Sequence, residues 1–127
     1  ASSENVFTAA FKQTGVIKSE SEAELVDYAG ALASQPLPKG NKVGILSLGG
    51  GWGVLASDSC EKQGLVVPSL PQEAIDKIGR VLPAYWSKGN PIDTVAKFDA
   101  ATLRTCMETL LELPSIDSVI LAGFGTY

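Results

Sequence analysis

Apolar residues in the first part of the chain recur at helical spacing. Val6, Phe7, Ala10 and Phe11 form one stripe and Gly15 follows as a stop, so the pattern predicts a helix over about Ser3 to Lys12. Val16 and Ile17 make a short apolar step. Ser21 and Glu24 then have the S-x-x-E spacing of a capping box, and Leu25, Tyr28, Ala29, Leu32 and Ala33 repeat as one helical face. Pro36 and Pro38 end this second helix, leaving Gln35 to Gly40 as a connector.

The period changes after Lys42. Val43, Ile45, Leu46 and Leu48 sit in a near-continuous apolar run, as in a strand covered on both faces of a parallel sheet. Gly49, Gly50, Gly51 and Gly53 follow at once, then a helix from about Trp52 to Gln63 closed by Gly64, and a short strand over Leu65 to Val67. Ser69 and Gln72 have capping-box spacing ahead of Ala74, Ile75, Ile78, Val81 and Leu82, and Pro83 stops that helix. Tyr85 to Val95 reads as a loop. Asp99 is placed to cap a helix with the stripe Leu103, Cys106, Met107, Leu110 and Leu111, Pro114 closes it, and Ser118 to Ala122 is a third buried strand. Strands alternating with helices predict an α/β fold with right-handed crossovers, whose ligands bind at the carboxyl ends of the strands. Gly123 to Tyr127 lie at such an end with no covering helix after them, so the expected sheet is truncated at its C-terminal edge.

At 127 residues, with 45% hydrophobic and 19% charged positions, the chain suits one globular domain. A net charge of -4 without a basic cluster argues against nucleic-acid binding. No apolar run reaches the roughly 20 residues that span a bilayer. The absence of histidine removes the commonest general base and zinc ligand, and with them every Ser/His or Cys/His pair. Cys60 and Cys106 lack metal or redox spacing and read as reduced, buried thiols of a cytoplasmic protein. The chain starts at Ala1 without a signal-peptide pattern, which suggests a piece of a longer protein.

Leu48-Gly49-Gly50-Gly51-Trp52-Gly53-Val54 is the strongest local signal. Backbone N–H groups free of side chains, at the positive end of a helix dipole, suit phosphate or carboxylate. Val54 stands where a dinucleotide fingerprint needs its third glycine, and no G-K-[ST] follows for a Walker loop. The alternative is a tight turn that needs positive φ and close helix packing. Lys88-Gly89-Asn90-Pro91-Ile92-Asp93 forms a second signal, a rigid connection that would fix the direction of Asp93, with a plain cap or turn role as the alternative. Gly123-Phe124-Gly125 offers a backbone cradle for a carboxylate, with a simple loop as the default. Trp52, Tyr85 and Trp86 read as packing residues, and Ser57 has no base near it in sequence to make it a nucleophile.

Together, Ala10-Phe11-Lys12-Gln13-Thr14-Gly15-Val16-Ile17, Pro36-Leu37-Pro38-Lys39-Gly40-Asn41, the GGGWGVLASDSCEKQGL run and Gly89-Asn90-Pro91-Ile92-Asp93 resemble the ADP-forming acyl-CoA synthetases, relatives of succinyl-CoA synthetase. The resemblance covers nearly the whole chain in order. It implies a flavodoxin-like three-layer αβα ligase domain over residues 39–127, preceded by a helical lead-in and connector over residues 1–38. The implied reaction converts acyl-CoA, phosphate and ADP to acid, CoA and ATP through an acyl phosphate and a phosphohistidine. Gly49, Gly50, Gly51 and Gly53 would contact phosphate, with Leu48, Asn90, Asp93, Gly123, Phe124 and Gly125 as substrate-binding candidates. Neither a catalytic residue nor a metal ligand is expected in the chain itself. The histidine, the CoA-binding domain and the ATP-grasp domain would be partners elsewhere in the parent, which would use CoA, ADP or ATP, and Mg. Trp52 departs from the proline or small residue common at its position in the family. A non-catalytic acyl-CoA-sensing module of a protein acetyltransferase is the second implied reading, and a receiver-like domain is disfavoured by the lack of an acidic cluster after the first buried strand. Uncovered sheet or interface surface would also permit a homo-oligomer.

Overall fold

The computed structural model describes residues 2–125; Thr126 and Tyr127, part of the expected C-terminal loop, lie outside them. The chain forms two compact units, one ending at Leu37 and the other beginning at Pro38.

The first unit holds helices α1 (Ser2–Thr14) and α2 (Glu22–Ser34). Gly15, at φ +72°, closes α1 in the left-handed conformation, and the Val16 amide turns back to the Phe11 carbonyl at 3.0 Å. Ser21 caps α2 as expected, its hydroxyl accepting from the Glu24 amide at 3.2 Å, while the Glu24 carboxylate accepts from the Glu20 amide at 2.7 Å. The expected apolar face of α2 is not buried: no residue of the helix is, and Leu25 and Leu32 are more than half exposed. Two short helices supply too little surface to enclose a core.

The second unit is a parallel sheet between helical layers. Strand β1 (Val43–Ser47) lies at the centre in the order β2-β1-β3, with β2 (Ile92–Asp93) and β3 (Ser118–Ala122) as its parallel neighbours. Alternation along β1 sends its side chains both ways. Val43 and Ile45 pack with Cys60 of α3 (Gly50–Lys62), and Leu46 packs with Ala74 and Ile78 of α4 (Gln72–Gly79) and Cys106 and Leu110 of α5 (Ala100–Leu111). The result is the flavodoxin-like three-layer αβα arrangement, and it explains why every residue of β1 is buried. Cys60 and Cys106 are both buried and free, on opposite faces of the sheet.

Four elements differ from the sequence expectation. A strand, β2, lies within the stretch expected to be a loop, because Asn90 acts as a surrogate for strand pairing. Its side-chain oxygen accepts from the Ile45 amide at 2.9 Å, and its amide nitrogen donates to the carbonyls of Val43 at 2.9 Å and Pro68 at 3.0 Å. The strand expected over Leu65–Val67 shrinks to one parallel bridge between Lys42 and Val66. Helix α4 begins after Pro71, whose φ of -67° suits a helix entry, so Ser69 makes no cap and Gln72 bonds Asp76 at 2.8 Å instead. Strand β3 is only partly buried, with Leu121 half exposed. Asp99 caps α5 as expected.

Candidate functional site

Strand β1 hands over to helix α3 through Leu48 and Gly49 at the carboxyl end of the sheet. Leu48 continues the pairing, donating to the Ala122 carbonyl at 3.0 Å and accepting from the Ala96 amide at 3.0 Å. Gly49 is the helix cap, and its carbonyl takes the amides of Trp52 at 3.1 Å and Gly53 at 3.3 Å. That leaves the N–H groups of Gly50 and Gly51 at the tip, with no carbonyl behind them.

The four glycines do different things. None of them has positive φ; among the described glycines only Gly15, Gly64 and Gly123 do. Gly53 is buried, and a Cβ there would lie 3.0 Å from both Pro91 Cβ and Ser47 Oγ, so it lets α3 close onto the sheet. A Cβ at Gly50 would lie 3.2 Å from Asp93 Oδ2. Gly49 and Gly51 have nothing within 4 Å of such an atom. The tight-turn alternative therefore accounts for Gly53 and leaves the bare tip at Gly49 and Gly51 unexplained.

Asp93 flanks the tip on the β2 side. Its Oδ1 accepts from the Val95 amide at 2.7 Å. The backbone here turns through left-handed conformations at Val95 (φ +54°) and Ala96 (φ +58°), which cost a β-branched residue most, and hydrogen bonds of Thr94 to Ser47 and Ala96 to Leu48 hold the turn in place. On the β3 side, Gly123 at φ +87° lies against Trp52, where a Cβ would come within 2.7 Å of the indole. Trp52 remains half exposed beside the tip.

A cleft of about 290 Å³ runs from the tip along α3, lined by Ser47, Gly50, Gly53, Val54, Ser57, Asp58, Ser87, Pro91 and Asp93. Ser47 Oγ donates to the Ile92 carbonyl at 3.2 Å, whereas the Ser57 hydroxyl is buried with no partner. From the sequence, Ser57 reads as a poor nucleophile and Asp58 likewise as a structural residue. Counting seven and eight positions on from Gly50 puts both on its helix face, a signal that was available.

The structure thus gathers Leu48, Gly49, Gly50, Gly51, Asp93 and Gly123 around one end of the sheet. It does not bring Asn90 there as a ligand group, since its side-chain amide is spent on the backbone of β1 and Pro68. The Phe124 ring packs against the core on the α4 and α5 side, so only its backbone could serve a substrate. Trp86 is in that core, while Tyr85, expected to pack, is 78% exposed. Away from the site, the Thr102 hydroxyl and then its amide hold the Asp99 carboxyl below its usual range, and burial pushes the Cys106 thiol up to about 11. No group of three or more His, Cys, Asp or Glu side chains that could hold a metal ion occurs among the described residues. Among the described residues, no helix is long and apolar enough to cross a membrane.

A parallel αβα domain with a glycine helix tip at the strands' carboxyl end places unpaired backbone amides where open α/β folds bind their ligands. The sequence model of the Ligase-CoA domain family matches residues 43–127, and the chain belongs to that family. It is 36% identical over 120 residues to the acetate–CoA ligase [ADP-forming] II subunit alpha of Pyrococcus furiosus, covering 94% of this chain and 26% of that protein. A 4-hydroxybutyrate–CoA ligase [ADP-forming] of Nitrosopumilus maritimus is 32% identical over 118 residues, covering 93% of this chain and 17% of that one. Among solved structures, PH0766 from Pyrococcus horikoshii OT3 superposes with a TM-score of 0.82 at 36% identity, over 94% of this chain and 27% of that one. The dinucleotide-forming acetyl-coenzyme A synthetase 1 of Ca. Korarchaeum cryptofilum, in complex with phosphate and ADP, gives 0.82 at 27% identity, over 92% of this chain and 25% of that one. The chain spans roughly a quarter or less of each of these relatives.

Proposed function

We propose that residues 39–127 are the ligase domain of an ADP-forming acyl-CoA synthetase, with residues 1–38 as its lead-in, and that the tip of α3 holds phosphate during the reaction. The observation that carries this reading is the bare first turn: Gly49 and Gly51 have room for side chains and lack them, and the amides of Gly50 and Gly51 face outward. Two outward amides and a helix dipole stabilise an anion without donating a proton, which suits a chain with no histidine. The backbone of Leu48 and of Gly123 to Gly125 lines the neighbouring strand ends, where the carboxyl part of an acyl group would lie.

In the proposed reaction phosphate attacks the thioester carbonyl of acyl-CoA, CoA leaves as the thiol, and an acyl phosphate forms. The phosphoryl group then passes to a histidine, releasing the acid, and from there to ADP. This chain supplies the anion hold. The histidine, CoA-binding and ATP-grasp domains belong to the remainder of the parent, and nucleotide and Mg chemistry with them.

The test is ATP formation by the full-length parent from ADP, phosphate and a panel of acyl-CoAs, with acid-labile phosphoprotein followed in parallel. Turnover with labelling, both lost in a folded Gly51→Val protein, supports the reading. Acyl-CoA binding without turnover or labelling would replace it with the acyl-CoA-sensing module.

A further inference from the structure

A single glycine separates the paired end of β1 from the first turn of α3. Gly49 has no side chain to restrict its rotation, and a Cβ there would meet nothing within 4 Å, so its own packing does not fix its orientation. The residue before it is held from both sides: the Leu48 amide donates to the Ala122 carbonyl at 3.0 Å, and the Leu48 carbonyl accepts from the Ala96 amide at 3.0 Å. The first of these bonds continues the pairing of β1 with β3. The second comes from a turn that the chain would not adopt unaided, since Val95 at φ +54° and Ala96 at φ +58° are both left-handed and Val95 is β-branched.

Asp93 holds that turn. Its Oδ1 accepts from the Val95 amide, two residues on, at 2.7 Å, while the Thr94 amide donates to Ser47 and the Lys97 amide to Thr94, both at 2.9 Å. Oδ2 lies 3.2 Å from where a Cβ of Gly50 would be, so the carboxylate takes up the space that a side chain there would need. We infer that Asp93 is a positioning residue for the tip of α3: its oxygen keeps Val95 and Ala96 left-handed, the Ala96 amide thereby holds the Leu48 carbonyl, and the Leu48–Gly49 link is fixed with the amides of Gly50 and Gly51 outward. What counts is the acceptor oxygen, since a negative charge beside an anion is a cost. This inference rests on the phosphate reading of the tip and adds to it the residue that aims it.

The experiment compares the 127-residue chain with Asp93→Ala and Asp93→Asn, two neutral variants that differ in whether an oxygen remains to accept from Val95. Two quantities are read by ¹⁵N NMR: hydrogen exchange at the Ala96 and Leu48 amides, and affinity for inorganic phosphate from the shifts of Gly50 and Gly51. In Asp93→Ala the Ala96 amide should exchange at least about fivefold faster than in Asp93→Asn, with Leu48 changed by less than about twofold. Asp93→Asn should bind phosphate at least as tightly as the unaltered chain, because a repelling charge is gone, and Asp93→Ala at least about threefold more weakly than Asp93→Asn. Adding Ala96→Gly to Asp93→Ala should recover at least about half of that loss, since glycine takes a left-handed φ without help.

Equal phosphate affinity in Asp93→Ala and Asp93→Asn overturns the positioning role and leaves the phosphate reading standing. So does an equal loss of protection at Ala96 and Leu48, which a merely structural residue would produce, or a failure of Ala96→Gly to recover binding. No saturable shift at Gly50 or Gly51 in any of these proteins overturns both.

Discussion

The first turn of α3 and the turn that follows it are made of the same residue for opposite reasons. Gly53 is clamped between Pro91 and Ser47, so its missing side chain serves the packing of helix on sheet. A Cβ at Gly49 or Gly51 would meet nothing within 4 Å, so packing does not account for theirs, whereas the proposed phosphate site would. A glycine run is therefore not one signal. Its members separate into a packing glycine and tip glycines only when their surroundings are known, and the separation predicts opposite responses to the same added methyl group.

The largest effect belongs to the support beneath this comparison. Asn90→Ala removes three hydrogen bonds to buried or half-buried backbone that hold the Asn90–Asp93 segment beside β1. It should cost about 3 kcal/mol in urea unfolding, because unpartnered buried polar groups carry most of the penalty. A loss below about 1 kcal/mol would mean that β2 stays in place without its surrogate partner. Next, Gly53→Ala should destabilise by about 1–2 kcal/mol, the overpacking against Pro91 and Ser47 outweighing the better helix propensity of alanine. Gly51→Ala should instead stabilise by up to about 1 kcal/mol while weakening phosphate at the tip. If both alanine variants lose stability equally, the distinction between the two turns collapses.

The smallest effect is a pH dependence in the core. The Cys106 thiol is raised from 9.0 to about 11, first by burial, so its folded-state pKa lies above the unfolded one. Its contribution to stability is complete below about pH 9 and declines as pH rises through about 11. The melting temperature should fall over that window, less steeply in Cys106→Ala.

Much of the fold is legible in the sequence, and the places where it is not share a cause. Strands β1 and β3 and helices α3 and α5 announce themselves because their own residues carry the pattern: an apolar run, a glycine stop, or an Asp99 cap. Strand β2 has two residues and is held by the side chain of Asn90, so no local periodicity betrays it. The apolar face of α2 is legible as a pattern, but burial depends on a partner surface, and this unit offers none. At the site, the glycine tip and Asp93 are visible in the sequence as separate signals. Their meeting at Gly50 is not, because it depends on β2 pairing in register with β1, Ser47 opposite Asp93. Asn90 shows the converse, since its conspicuous turn setting marks a structural bond and not a ligand.

The most direct test of the central claim is a phosphate titration of the ¹⁵N-labelled chain at constant ionic strength, with chloride as the reference anion. The account predicts saturable shifts centred on the amides of Gly50 and Gly51, with Gly53 and Gly64 far less affected. Shifts scattered over surface lysines, with the Gly50 and Gly51 amides unmoved, would contradict it.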